Sequence, residues 1–237
     1  MNVMDFTPLR LSLQTALCAT ALTFVAGVLC ARWRLGREGR FATLLDVLFM
    51  LPIALPPSVI GLLLLLVFGR SSPVGQMLAR FDATIIFTWP ATVLASFVVA
   101  FPIMYQTARG AFAQVDPALL DAARLFGRSE WRNLRRILLP LAWPGIAAGT
   151  ILSFLRALGE FGATLMIAGN IAGQTQTAPV AIFFAVEGGA MPEAIALSFA
   201  LILLSLGAIA LLNRLAHRTA PVSASSLKPP RAPSRRQ

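Results

Sequence analysis

The sequence predicts an all-α integral membrane protein, a bundle of five to six transmembrane helices, and three observations carry that expectation. Of its 237 residues, 57% are hydrophobic and only 13% charged, and the mean hydropathy is +0.75. That is far more apolar side chain than one soluble core needs. Six stretches contain no Asp, Glu, Lys or Arg: 11–31, 47–69, 83–108, 137–155, 161–186 and 194–213. Each is near the length, about 20 residues, that carries a helix across roughly 30 Å of hydrocarbon. Lastly, the basic residues gather in segments that alternate along the chain, as they do when loops on one side of a membrane are selected for positive charge.

Other counts exclude whole classes. The net charge of +10 suits a topology signal better than a nucleic-acid surface, since most of the chain is committed to lipid. One His (His217) and two Cys (Cys18, Cys30) cannot assemble a zinc, haem or iron–sulfur site. The only Lys, Lys228, lies in a Pro- and Ser-rich tail, and no G-x-x-x-x-G-K occurs, so ATP, if used, is bound by another chain.

Taken in order, the spans are expected at about 10–31, 44–68, 84–107, 141–162 and 193–213. The first is followed by Arg32, Arg34, Arg37 and Arg40, the reverse of a cleavable signal peptide. The second contains Pro52, Pro56 and Pro57 and the third Pro90 and Pro102, so both are expected to kink, either as ordinary packing or to widen a central path. The run 161–186 is interrupted by Gly169-Asn170-Ile171-Ala172-Gly173-Gln174-Thr175-Gln176-Thr177, too polar and glycine-rich for lipid. It reads as a loop followed by a short apolar segment at 178–186, a half-helix or re-entrant piece that could also be scored as a sixth span.

With five spans, segments 32–40, 109–136 and 214–237 share one side and hold four, six and six of the 20 basic residues. By the positive-inside bias that side is cytoplasmic, the N-terminus is periplasmic and the C-terminus cytoplasmic. Residues 1–215 then form the transmembrane domain, and 216–237 read as a disordered basic tail that touches anionic lipid. The polar loop 109–140 has its own punctuation: Asp116 as N-cap, Pro117 at the first helical position, Gly127 as a C-cap, and Ser129 capping a second helix. Leu119, Ala122, Ala123 and Phe126 make an apolar stripe suited to a partner's groove.

Asp121-Ala122-Ala123, then Gly127, then Ile137, Leu139 and Pro140, resemble the EAA motif of bacterial ABC importer permeases, E-A-A-x-x-x-G followed by I-x-L-P, with Asp in place of Glu. Arg156-Ala-Leu-Gly-Glu160-Phe-Gly-Ala-Thr164, continuing to Gly169-Asn170-Ile171, resembles a segment of molybdate transporter permeases, and similar segments occur in sulfate permeases. Leu55–Leu62 and Phe101–Gly110 resemble the same subfamily. The resemblance spans about residues 8–215. It implies a type I ABC importer permease (MetI-like) bundle in the bacterial inner membrane, in which the 109–140 loop is a cytoplasmic coupling helix. Asp121, Ala122, Ala123, Gly127, Leu139 and Pro140 would then contact the ATPase. It further implies a second copy of the chain, two ATPase subunits that bind ATP and Mg, a periplasmic molybdate-binding protein, and no cofactor or metal in this chain. Tungstate and sulfate are the alternative substrates.

Six residues are candidates for the translocation path. Arg156 and Glu160 lie on one helical face at membrane depth, either as a pair that fixes packing or as a cation that meets an oxyanion when the pair opens. Gly159 and Gly162 permit close helix approach or are ordinary small-residue packing. Thr164 and Asn170 offer hydrogen-bond groups, with loop capping the first reading for Asn170. Asp46 is expected to pair locally with the 32–40 arginines, and Trp89, Tyr105 and Trp143 to anchor at the interface. An ion-coupled secondary transporter or channel is the competing class. It would be expected to carry several acidic or His residues within the spans, and only Glu160 does.

Overall fold

The computed structural model describes residues 5–125 and 129–219. They form α1 (Thr7–Arg34), α2 (Arg40–Ala54), α3 (Pro57–Phe68), α4 (Pro73–Ala79), α5 (Trp89–Ala113), α6 (Pro117–Leu125), α7 (Glu130–Asn133), a π-helical turn (Leu134–Leu138), α8 (Leu139–Leu158), α9 (Gly162–Ala168), α10 (Ala178–Glu187) and α11 (Met191–Thr219). No strand occurs among the described residues. Four stretches are long and apolar enough to cross a membrane: Thr7–Arg34, Trp89–Ala113, Glu130–Leu158 and Met191–Arg214. The tail beyond residue 219 and Gly127 lie outside the described residues.

The stretch expected to cross at 44–68 is two helices, not one. α2 and α3 meet at 116°, and they count as one broken span or as a re-entrant pair. Proline is the cause. Leu55 is extended, with φ −92° and ψ 144°, as the residue before a proline prefers to be, and Pro56 has no N–H with which to continue the ladder. The loose ends are closed locally: Leu55 N–H donates to Leu51 O at 3.2 Å, and Pro56 O accepts from Val59 and Ile60 at 2.9 and 3.2 Å.

Proline also sets where several helices begin. Pro8, Pro90 and Pro179 stand in the first two positions of α1, α5 and α10, where the missing N–H has no partner to lose. Hence the third span starts at Trp89 rather than 84; residues before it form a turn with Phe87 at φ 59°. The fourth span is longer than its apolar run, because α7, the π-helical turn and α8 are continuous. In that turn Leu139 N–H reaches back to Leu134 O, and the widened backbone makes room for Pro140, one residue later. The apolar piece at 178–186 becomes α10, ten residues or about 15 Å, half a hydrocarbon layer.

α5 is the central helix. In its most apolar window 67% of residues are buried, against 6% for α11, whose Ile195, Phe199, Ile202 and Leu206 face outward. Small residues let neighbours approach α5. Ala16, Ala19, Thr23, Gly27 and Ala31 recur on the buried face of α1, and a β-carbon at Gly27 would lie 2.8 Å from Met104 Cγ. A β-carbon at Gly145 of α8 would lie 2.6 Å from that of Ala111. One buried cluster gathers Met104, Tyr105, Phe112, Leu134, Leu138 and Ile146 near the 109–140 loop. Another gathers Ile60, Ala91, Ala95, Val99, Ala163 and Ile167 where α3 and α9 meet α5. Hydroxyls join α1 to α5: Thr15 and Thr92 share a hydrogen bond of 3.0 Å, and Trp89 Nε1 donates to Thr15 at 3.1 Å.

The α3–α9 crossing gives a direct test of this packing. A β-carbon at Gly61 would stand 2.6 Å from Met166 Cβ and 2.9 Å from Ala163 Cα, and backbone cannot swing aside. Gly61→Ala is expected to destabilise the fold by about 1–3 kcal/mol, read as a lower melting temperature in detergent. Gly110→Ala, which meets nothing within 4 Å, is expected to hold or raise it by up to about 1 kcal/mol, alanine being the better helix former.

Candidate functional site

The candidate path residues gather where two broken helices touch. α8 ends at Gly159, the chain turns through Glu160 and Phe161, and α9 starts at Gly162. α9 lies against α3, just past the Pro56–Pro57 break: a β-carbon at Gly162 would sit 3.2 Å from Pro57 Cβ. Gly162 therefore permits close contact at this corner, whereas Gly159 is exposed and has only ordinary contact with its own helix. Arg156 lies about 24 Å along α8 from Pro140, so the corner is at the far end of that helix from the 109–140 loop rather than at its middle.

Glu160 is the most deeply buried carboxylate among the described residues, with its side chain 1% exposed. Both oxygens are used. Arg156 Nη1 donates to Oε2 at 2.8 Å, and Ala163 N–H donates to Oε1 at 2.8 Å. The carboxylate thus neutralises a cation and satisfies one of the free N–H groups that begin α9. Arg156 is less enclosed, its side chain 31% exposed, so one face of the guanidinium remains open. Nearby in sequence, Ser153 and Thr164 are buried hydroxyls with no hydrogen-bond partner. Such groups are rare and costly in a finished interior. Asn170 is exposed, and capping of its loop falls to another residue: Thr175 Oγ1 accepts Ile171 N–H at 3.1 Å. Ser12 Oγ, from α1, accepts Ala178 N–H at 2.7 Å and so fixes the start of α10.

The 109–140 loop sits at the opposite end. Asp116 Oδ1 accepts Ala118 N–H at 2.9 Å and Ser129 Oγ accepts Arg132 N–H at 3.4 Å, the two caps expected from sequence. α6 carries Asp121, exposed. The apolar stripe divides: Ala123 is buried within the chain and Leu120 packs on the core, while Leu119 and Leu125 stand exposed, Leu125 by 89%. Ala123 therefore seats the helix, and Leu125, which the sequence reading passed over, is the apolar side chain offered outward. Gly127 and Phe126 lie outside the described residues, as does the side chain of Ala122. Leu139 is half-buried on the core and Pro140 is exposed at the start of α8. A groove of about 560 Å³ runs beside α6, lined by Gly110, Gln114, Asp116, Leu119, Leu141 and Pro144 among others.

A third arrangement was only partly foreseen. Asp46 does pair with Arg34, whose Nε lies 2.9 Å from Oδ2, but it also takes Arg109 Nη1 at 3.1 Å and the Tyr105 hydroxyl on Oδ1. One carboxylate thereby joins α1, α2 and α5. Tyr105 is 1% exposed, so it is an inward hydrogen-bond donor and not an interfacial anchor. The available signal was that Asp46 is the only carboxylate between Glu38 and Asp82 and that Arg109 lies one helical turn beyond Tyr105. Beside it, Arg32 pairs with Glu130 and ties the end of α1 to α7.

Residues 23–221 match the family model described as "Binding-protein-dependent transport system inner membrane component". Relatives include the putative molybdenum transport system permease protein YvgM of Bacillus subtilis, 48% identical over 78% of this chain and 82% of that one. The molybdenum transport system permease protein ModB of Haemophilus influenzae is 38% identical over 91% and 95%. The sulfate transport system permease protein CysT of Escherichia coli is 35% identical over 88% and 76%. Among solved structures, a bacterial ABC transporter involved in import of the acidic polysaccharide alginate superposes with a TM-score of 0.74 at 15% identity, over 93% of this chain and 82% of that one. At that identity the likeness concerns the fold.

The unequal burial of Arg156 and Glu160 gives their substitutions an order. Arg156→Met leaves a fully buried carboxylate without its cation and is expected to cost about 3–5 kcal/mol. Glu160→Gln keeps an acceptor for Ala163 N–H and strands a cation that water can reach, so about 1–2 kcal/mol is expected. The double variant should recover part of the Arg156→Met loss. Melting in detergent across this cycle checks the order, and equal single effects would contradict it.

Proposed function

Because the chain belongs to the family of binding-protein-dependent transport system inner membrane components, a multi-pass membrane permease of the ABC importer kind, we propose that its cargo is molybdate. The observation that carries this is that the relatives with the highest identities, 48, 41 and 38%, are named for molybdenum, while the sulfate permease stands at 35%, level with the most distant of the molybdenum-named relatives at 34%. The 35% match spans most of this chain, so sulfate is the second reading, and tungstate shares the tetrahedral dianion geometry of both.

In this reading two copies of the permease domain, residues 1–215, enclose a path, two ATPase subunits dock on the 109–140 loops, and a periplasmic molybdate-binding protein delivers the anion. The arginine-rich segments 32–40 and 109–136 and the tail 216–237 place that loop and the C-terminus in the cytoplasm and the N-terminus in the periplasm. The Arg156 corner then lies toward the periplasmic side. The open face of Arg156 offers a cation, and Thr164 a buried hydroxyl, to a passing oxyanion. Gly159, Gly162 and Asn170 shape that corner. Contact at one cation is weak enough to release a dianion, as a path requires. At the cytoplasmic end, Asp121, Ala122, Ala123, Gly127, Leu139 and Pro140 build and seat the coupling loop, and the exposed Leu125 is its apolar contact to the ATPase.

Two measurements test this. In a strain deleted for its own permease, expression of this chain with its ATPase and binding protein is expected to restore molybdenum accumulation, measured by mass spectrometry, and excess sulfate should leave it unchanged. Loss of molybdenum uptake to sulfate competition would favour the second reading. Leu125→Asp is expected to release the ATPase on affinity purification, by tenfold or more for about 1.5–3 kcal/mol of lost burial, without changing the permease's own melting temperature.

A further inference from the structure

Two grooves outside the proposed path lie end to end along one face of α1. The first, about 620 Å³, is almost wholly apolar and runs between α1 and α5 past Leu22, Val25 and Phe97. The second, about 440 Å³, lies between the end of α1 and α7 and includes Leu29, Arg32, Trp33, Arg37, Trp131 and Glu130, the last already bound to Arg32. Leu22, Val25, Leu29, Arg32 and Trp33 recur every three or four residues, so they fall on one face, and Leu22, Val25 and Leu29 are each about half exposed. From Val25 to Arg32 the helix rises about 10 Å. With 28 residues, α1 is about 42 Å long, so its end stands beyond the hydrocarbon, at headgroup level.

The polar groove is preorganised. The chain turns back after α1 through Gly36 at φ 73°; Arg37 N–H donates to Arg34 O at 3.1 Å, and the Arg34 guanidinium donates to Arg37 O. That turn lays Arg37 over the Trp33 ring, its guanidinium carbon 4.6 Å from the centroid. Among the described residues no carboxylate pairs with Arg37, in contrast to Arg34 with Asp46 and Arg32 with Glu130. An arginine with no carboxylate partner among the described residues, held on an indole at headgroup depth with Trp131 59% exposed across the groove, recognises a phosphate. The apolar groove directly beneath takes a hydrocarbon chain. We propose that this face of α1 binds one anionic phospholipid, its phosphate on Arg37 and an acyl chain along Leu29, Val25 and Leu22. The site lies outside the Arg156 corner; its Glu130 and Trp131 are on α7 of the 109–140 loop, whereas the proposed ATPase contact, Leu125, is on α6.

The test is native mass spectrometry of the full chain, purified in its assembled transporter and exposed to phosphatidylglycerol or phosphatidylcholine with the same acyl chains. Retention of phosphatidylglycerol is expected to exceed that of phosphatidylcholine, and Arg37→Gln should reduce the preference about fivefold. Val25→Trp, which fills the apolar groove, should reduce retention of both lipids. Size-exclusion profiles of the same samples identify any variant that has not folded, and for such a variant Trp33→Leu is substituted as the headgroup test. Equal retention of the two lipids, indifference to all these variants, or competition by glycerol phosphate as effective as by the lipid would overturn the proposal. So would occlusion of the groove by another protein chain in the assembled transporter, seen as retention by the free permease only.

Discussion

Inside a bilayer a backbone N–H released by a helix break has no water to turn to, and each unsatisfied group costs several kcal/mol. This chain breaks its helices at residues 55–56, 159–161 and 169–177, and the rest of the architecture is arranged around closing those breaks. Pro56 O gathers two N–H groups at the start of α3, Glu160 takes one at the start of α9, and Ser12 reaches from α1 to take the first of α10. The breaks at Pro57 and Gly162 also touch. Two of the three breaks are thus brought to one corner, where Gly162 lies against Pro57.

That constraint explains why so few charges enter the apolar part of the chain and why those that do are shared. Glu160 serves Arg156 and a backbone N–H; Asp46 serves two arginines and a tyrosine hydroxyl from three helices. In a low-dielectric setting one carboxylate with several donors is far less costly than several isolated pairs. The two carboxylates also divide the bundle: one fixes the broken-helix corner, the other the end of α1, α2 and α5 from which the 109–140 loop emerges.

Much of this was legible in the sequence, because apolar runs, proline positions and capping residues report local physics. The long helices, the caps at Asp116 and Ser129, and the Arg156–Glu160 pair at four-residue spacing all depend on near neighbours. What was not legible depends on which neighbour lies across a gap. The same prolines that read as a kink within one span turn the chain by 116°. A lone tyrosine that reads as an interfacial anchor is buried because Asp46 faces it across 59 residues of chain. Ala123 and Leu125 are two residues apart on a short helix, and only the packing of α6 on its neighbours decides that the smaller faces in and the larger faces out.

The continuity of Glu130–Leu158 carries the proposed function one step further. The second half of the 109–140 loop, from Glu130, and Arg156 of the corner belong to one unbroken helix, so a displacement there need not pass through a chain of side-chain contacts to reach Arg156. Coupling between distant sites requires an element with two arrangements that both sites bias. A rod alone is not such an element. The candidates for the second arrangement are at its ends: the π-helical turn beside Pro140, where the backbone register is already relaxed, and the Gly159–Gly162 turn, where the rod stops. Between them Gly145 and Gly149 let α8 lie directly on α5. Close contact without interlocking large side chains permits a helix to slide or rotate as a body, the shear type of motion. In this arrangement Arg156 would travel with the end of the rod, while Glu160 stays bound to the Ala163 N–H of α9. Opening the pair and moving the rod against α9 are therefore a single mechanical event.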